Sequence, residues 1–304
     1  MKLSTFLQMR CNTTLYRRMT WNGVFAYIYL LCGFYFLLNR KERENIECSV
    51  RHVLQCSPKG IGEEDVLRRV FKGIVSHYYE KLFNAYADAS TWREFFRGSI
   101  HAPNFGLFHE ELQKGRGVLF VTGHYGGIEY IPIYIAMSGC PISVVASFAT
   151  SELKEALEQR TRGLGLRIID AKEKGNVARA ILKELRDNRV VFFECDEIDK
   201  WKPARKESMA FLGRTIHVDR TISLLQKRSG ASIIFGLLHR SNLRKYFMIL
   251  ETYREVAQNI QATDRDSPGK CLLKRLEDYI YSSPEQWYQW KEYPKLGKSC
   301  FSGL

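Results

Sequence analysis

The chain has 304 residues, a formal net charge of +13 and 45% hydrophobic residues. That apolar content excludes a disordered polypeptide and is enough for one sizeable core. The excess of lysine and arginine calls for an anionic partner, which leaves nucleic acid, an anionic membrane surface or a phosphorylated substrate.

In chain order, the first predicted element is the apolar segment from Trp21 to Leu38, in which Asn22 is the one clearly polar side chain. Arg17 and Arg18 precede it, and Arg40, Lys41 and Arg43 follow. A bilayer core takes about 20 apolar residues, so the segment is slightly short for an upright span. A tilted or half-inserted helix, held at the interface by its tyrosines and flanking cations, fits it better. A buried core helix passes the same length test and stays open as a reading. No small-residue cleavage site precedes Asn39-Arg40-Lys41-Glu42, which disfavours a cleaved signal peptide. The boundaries that follow are 1–43 for an N-terminal membrane-anchoring helix with basic flanks and 44–304 for the domain behind it.

Residues 44–112 read as a helical lead-in, with Arg68, Arg69, Lys72 and Lys81 set among Phe71, Tyr78, Tyr79 and Phe83. Such a face suits a membrane-facing cap or a solvated helix above an ordinary buried stripe. In 113–304 the pattern changes. Apolar runs at 117–122, 141–147, 166–170, 189–195 and 231–238 each have strand length. Helix-like segments lie between them at 128–138, 151–163, 174–188 and 219–229, the second capped by Ser151 with Leu153, Ala156 and Leu157 as its stripe. This alternation predicts an α/β fold, a largely parallel sheet flanked by helices on both faces. Active sites in such sheets gather at the carboxyl ends of the strands.

His124 stands at one of those ends, in Gly117-Val-Leu-Phe-Val-Thr-Gly-His-Tyr-Gly-Gly-Ile-Glu129. The glycines at 123, 126 and 127 permit a tight turn and close backbone approach before a helix near Ile128. Glu129, with four residues between it and His124, is expected within reach of the far ring nitrogen. There it would fix the tautomer that leaves the near nitrogen free to accept a proton. The amides of Gly126 and Gly127 are the expected oxyanion donors. The cluster Glu194, Asp196, Glu197 and Asp199 follows another predicted strand. Its oxygens suit a divalent cation, and equally an ordinary acidic loop. The eight cysteines, at 11, 32, 48, 56, 140, 195, 271 and 300, form no CxxC pair, so neither a structural zinc site nor a disulfide framework is expected. The chain has no Walker loop, no GxGxxG after a strand and no GxSxG elbow.

Gly123-His124, Gly127 and Glu129 resemble the HxxxxD/E motif of membrane-associated acyltransferases, and their surroundings resemble the lipid A biosynthesis branch, the late lauroyl and myristoyl transferases. Lys114-Gly115-Arg116-Gly117-Val118 is similar to that family's lead-in to the histidine strand. Arg160 and Arg162, with Gly163 or Gly165, are similar to its arginine-and-glycine segment. Asp196-Glu197 stands where many members have Asp-Gln, and Phe211-Leu212-Gly213-Arg214, Ser229-Gly230-Ala231 and Pro284-Glu285-Gln286-Trp287 match later motifs in order. The ordered matches run from about 115 to 292. Three departures stand out: Asp-Glu for Asp-Gln, Ile128 before the acid, and Trp290-Lys291-Glu292 in place of an Arg-Trp-Lys ending.

The resemblance implies acyl transfer from a thioester of acyl carrier protein or coenzyme A to a hydroxyl of a glycolipid such as a lipid A precursor, with a lysophospholipid or phosphatidylinositol mannoside as the alternative acceptor. It implies His124 as general base held by Glu129, and Arg160, Arg162, Asp196, Glu197 and Arg214 as supporting or acceptor-binding residues. No metal and no cofactor are expected, and no nucleic acid partner. The expected place is the inner (cytoplasmic) membrane, with the catalytic domain on its cytoplasmic face against the anionic surface. A metal-dependent hydrolase built on 194–199 is the more distant reading.

Overall fold

In the computed structural model the described residues are 3–7, 9–16, 18–55, 63–146, 155, 158–159, 161–171, 177–197, 203–242 and 244–296. Two short helices, α1 (Leu3–Leu7) and α2 (Arg10–Tyr16), lead into α3 (Trp21–Leu38), whose first turn is capped by the Thr20 hydroxyl accepting from the Gly23 N–H. Val24, Ile28, Cys32, Tyr35 and Phe36 recur at helical spacing and are buried. They face α5 (Glu63–Tyr86), which follows α4 (Arg40–Gln55), and aromatic edges join the two long helices along their length. Trp21 meets Phe83 at 4.6 Å, Phe25 meets Tyr79 at 5.4 Å and Phe36 meets Phe71 at 5.1 Å between ring centroids. The other face of α3 leaves Tyr29, Leu30, Phe34, Leu37 and Leu38 exposed. By length and composition α3 is the one described helix able to cross a membrane.

After α6 (Ala89–Ser99), the short strand β1 (Ile100–His101) and α7 (Gly106–Gln113), the chain enters the sheet through β2 (Val118–Thr122). Every residue of β2 is buried, as its unbroken apolar run requires. A 3₁₀ turn at Ile128–Tyr130 then passes into α8 (Ile131–Met137), β3 (Ile142–Ala146), β4 (Leu166–Asp170), α9 (Val177–Arg186) and β5 (Val190–Glu194). Next come the hairpin β6 (Pro203–Phe211) and β7 (Arg214–Asp219), α10 (Thr221–Ser229), β8 (Ser232–Asn242), β9 (Lys245–Thr252), α11 (Tyr253–Asn259) and α12 (Pro268–Ser282).

Seven strands form one sheet in the order β1-β9-β8-β2-β5-β3-β4, flanked by helices. The pairs β8/β2, β2/β5, β5/β3 and β3/β4 are parallel, as the alternating pattern predicts. The exception is β9, which turns back antiparallel on β8 and receives β1 on its other side. The β6–β7 hairpin stands apart as a second sheet. Its loop is Leu212-Gly213, both at positive φ (49° and 77°), the signature of a two-residue turn whose twist matches its strands. The Phe211-Leu212-Gly213-Arg214 motif is thus the tip of a hairpin. Of the segment read as a helix at 151–163, the expected cap Ser151 and the stripe Leu153, Ala156 and Leu157 lie outside the described residues.

Candidate active site

Parallel pairing of β2 with β5 builds the site. The register sets Thr122 opposite Glu194, so His124 and Asp196, each two residues further on, emerge side by side at the carboxyl edge. The Cys195 N–H donates to the Thr122 carbonyl at 2.8 Å and carries the pairing one residue past the strand. Asp196 is completely buried. Its carboxylate accepts from the His124 backbone N–H at 2.9 and 3.0 Å, meets His124 Nδ1 at 2.9 Å, and accepts the Trp287 indole N–H at 2.7 Å. A carboxylate only accepts, so the proton of this bond belongs to Nδ1 and the lone pair of the neutral ring to Nε2.

The Nε2 side of the ring meets two more acids, Glu197 Oε1 at 3.2 Å and Glu194 Oε2 at 3.8 Å. Burial by itself lowers the His124 pKa, but the charges of Glu194 and Asp196 and the hydrogen bonds to Asp196 and Glu197 outweigh it and hold the imidazole well above its ordinary value. Burial, with Glu197 and Asp196 adding to it against the pull of His124, pushes Glu194 up to about 7. Tyr288 sets its ring edge-on to His124 at 5.1 Å and donates its backbone N–H to the His124 carbonyl at 3.2 Å.

Glu129 is elsewhere. Its carboxylate lies 3.8 Å from His77 Nε2 and 3.7 Å from Lys81 Nζ, both on α5, and its carbonyl accepts from the Asn84 amide at 2.9 Å. Both ring nitrogens of His124 face other acids, so the orienting contact expected of Glu129 is made by Asp196 in this structure. The reason is local: His124 sits at a bend, Tyr125 and Gly126 bridge to Trp287 and Leu238, and 128–130 is a 3₁₀ turn, so α-helical spacing never connects residue 124 to residue 129. His77 does link the two, since its ring stacks on Tyr288 at 3.5 Å and 14°, and Tyr288 borders His124. Burial keeps the His77 pKa well below its usual value, helped by the nearby cations Lys81, His124 and Arg240.

The other expected residues divide. Glu197 meets His124 directly. The Gly126 and Gly127 amides do not face a reacting centre, because each is bonded, the first to the Gln286 carbonyl and the second to the Leu238 carbonyl, both at 2.8 Å. That is a correction to their expected oxyanion role. Gly126 has φ +56°, and a methyl group there would overlap the Leu238 carbonyl, so its glycine serves the close approach of two backbones. Arg214 lies over the Tyr293 ring at 4.5 Å and donates Nη1 to the carbonyls of Pro294 and Leu296 at 3.2 and 3.1 Å, clasping the last described turns. Arg162 is exposed on the turn before β4. Arg160 and Asp199 lie outside the described residues.

Several residues that sequence reasoning left without a role hold the corner together. Pro284-Glu285-Gln286-Trp287 works as a brace. Trp287 pins Asp196, while the Gln286 side chain bonds both backbone groups of Arg240 on β8 at 2.9 and 3.2 Å. The Arg240 guanidinium reaches the Gly126 carbonyl at 3.0 Å and makes a buried bidentate pair with Glu80 of α5 at 2.6 and 2.9 Å, and Tyr246 adds its hydroxyl to Glu80 at 2.8 Å. The tetrapeptide itself was the available signal for Trp287. Nothing in the local pattern marks His77 or Glu80, whose partners lie far along the chain. His124, Glu194 and Glu197 also bring one ligand atom each within 4.8 Å of one another, the described group able to hold a metal ion.

A buried histidine with its Nδ1 fixed by an acid, at the carboxyl end of the central strand of a parallel sheet, is the arrangement of an acid–base enzyme. The bacterial lipid A biosynthesis acyltransferase family matches residues 100–292, more than half of the chain, and the chain belongs to that family. It is an acyltransferase, working with an acyl donor and a lipid acceptor, and the N-terminal apolar helix accords with membrane association. No curated protein matches it.

Proposed function

We propose that this enzyme moves a fatty acyl group from the thioester of acyl carrier protein or coenzyme A to a hydroxyl of a glycolipid of the lipid A precursor class, at the cytoplasmic face of the inner membrane. The observation that carries the mechanism is the bond between His124 Nδ1 and the buried carboxylate of Asp196. With the Nδ1 proton held there, Nε2 offers its lone pair to the acceptor hydroxyl as that oxygen attacks the thioester carbonyl. The proton passes to Nε2, the C–S bond of the tetrahedral intermediate breaks, and the imidazolium returns the proton to the departing thiolate. No covalent bond to the enzyme is needed. Asp196 stabilises the imidazolium, and Glu197 gives way at Nε2 when the hydroxyl arrives. Glu129 supports the site through Lys81, His77 and the stacked Tyr288 rather than through the imidazole itself.

The two faces of α3 support a half-inserted anchor. One face is engaged lengthwise with α5, which leaves Tyr29, Leu30, Phe34, Leu37 and Leu38 as the lipid-facing side. Exposed Arg18, Arg40 and Lys41 flank the helix where anionic headgroups would lie.

The test is acyl transfer by the detergent-solubilised full chain from a labelled long-chain thioester to a lipid A precursor, with the lipid product read by mass. His124→Ala removes transfer while leaving the fold and membrane association in place. A His124→Ala enzyme of undiminished turnover would sink the assignment of the base.

A further inference from the structure

The acids around Nε2 do more than the proposed transfer needs. A base wants its accepting nitrogen open, yet His124 Nε2 faces Glu197 Oε1 at 3.2 Å and Glu194 Oε2 at 3.8 Å. All three atoms lie within 4.8 Å of one another. Nitrogen and oxygen ligands held at about 2.0–2.1 Å in a tetrahedron stand roughly 3.4 Å apart, and the two sides of this triangle that meet at Nε2, 3.2 and 3.8 Å, bracket that spacing. Behind the ring, Asp196 accepts from Nδ1 and is itself pinned by Trp287, the outer support that metal-binding histidines ordinarily have. Once deprotonated, the two facing carboxylates supply two negative charges that a divalent ion offsets. The Glu194 and Glu197 side chains are 28% and 24% exposed, which leaves a way in and room for a water as fourth ligand.

We propose that His124, Glu194 and Glu197 form a site for a divalent transition-metal ion of the zinc type, and that filling it switches the enzyme off. One imidazole with two carboxylates suits zinc; magnesium and calcium take oxygen ligands alone. A metal-bound Nε2 has no lone pair to receive the acceptor's proton, so metal and acceptor hydroxyl compete for one atom. The inhibitory consequence rests on the acyl-transfer reading, whereas the binding itself does not.

The experiment uses the full chain in detergent, stripped with chelator and with its thiols alkylated so that exposed Cys11 and Cys48 take no metal. Zinc chloride is titrated by calorimetry, and cobalt chloride is added in parallel for the visible absorption of a low-coordinate site. The expected result is one equivalent of zinc per chain, with Glu194→Gln and Glu197→Gln each weakening binding at least tenfold and reducing the cobalt band. Failure of the wild-type chain to bind zinc, or equal binding by wild type and both variants, overturns the site. The binding arm decides even if no transfer activity is found, and the cobalt spectrum of the wild-type chain decides even if a variant fails to fold. In the activity arm, zinc inhibits transfer over the concentrations that fill the site, and chelator restores it. Zinc binding that leaves transfer unchanged overturns the inhibitory role.

Discussion

Asparagine in place of Asp196 separates the two acids that compete for the orienting role. The carboxylate accepts three donors, the His124 backbone N–H, His124 Nδ1 and the Trp287 indole N–H, at 2.7 to 3.0 Å in a fully buried position. Asparagine keeps the shape but has only one accepting oxygen. If its amide nitrogen faces Trp287, one buried indole donor is left unpaired, which costs about 1–3 kcal/mol of stability. If the nitrogen faces the imidazole, Nδ1 must become the acceptor and the ring proton moves to Nε2, where it blocks the base. A wrong tautomer of this kind lowers kcat by about 10⁴ in an Asp–His pair of a serine protease. For Asp196→Asn a loss of about 10³–10⁴ in kcat is expected, equivalent to roughly 4–5.5 kcal/mol of transition-state stabilisation. Thiol release from the acyl thioester measures kcat, and a thermal melt measures the modest change in stability. An Asp196→Asn enzyme with more than a tenth of wild-type kcat, alongside a Glu129→Gln enzyme without activity, would refute this reasoning and return the orienting role to Glu129.

Transfer requires a neutral ring, and His124 titrates well above its ordinary value because Glu194, Asp196 and Glu197 outweigh its burial, with Tyr288 and neutral His77 also near it. With chelator present, kcat/KM therefore rises with pH through that titration, and Glu194→Gln, by removing one carboxylate, moves the acid limb to lower pH. The same substitution has a stability signature. Burial raises Glu194 from 4.5 to about 7 in the fold, so its contribution is fully present below pH 4.5 and is lost as pH rises through about 7; Glu194→Gln flattens that stretch of a Tm-against-pH curve. Arg240→Met strands the fully buried Glu80 carboxylate and lowers stability by about 3–5 kcal/mol in urea unfolding, and adding Glu80→Gln restores part of the loss. Paired Leu30→Ser and Phe34→Ser changes on the exposed face of α3 reduce vesicle flotation while leaving activity in detergent intact; unchanged flotation would count against the anchor.

Much of the scaffold was legible in the chain because its central strands, β2 above all and most of β5, are buried and so must be apolar runs. The expected segments at 117–122, 141–147, 166–170 and 189–195 each contain a strand of the parallel sheet, and the apolar segment 21–38 coincides with α3. The hairpin at 203–219 escaped notice because it is rich in polar residues and stands outside that sheet. Strand β9 escaped although Tyr246–Leu250 is an apolar run; it lies antiparallel on β8 with the two-residue β1 on its other side, and Lys245 and Phe247 are exposed. At the site, His124 could be found from its place at a strand end beside glycines. The contacts of Arg214 with Tyr293 and the carbonyls of Pro294 and Leu296 could not be read from the chain, because those partners lie about 80 residues away.

The sequence alone determines that this is an α/β chain with an apolar N-terminal helix and a histidine at the carboxyl edge of its sheet, because those features follow from periodicity and glycine placement within a few residues. Tertiary structure decides which acid holds that histidine. Glu129 is near in sequence but is carried off by a turn toward α5, whereas Asp196 is 72 residues away and is delivered by the register of two parallel strands. Short-range spacing governs contacts only where the intervening backbone is regular, and between His124 and Glu129 it is not.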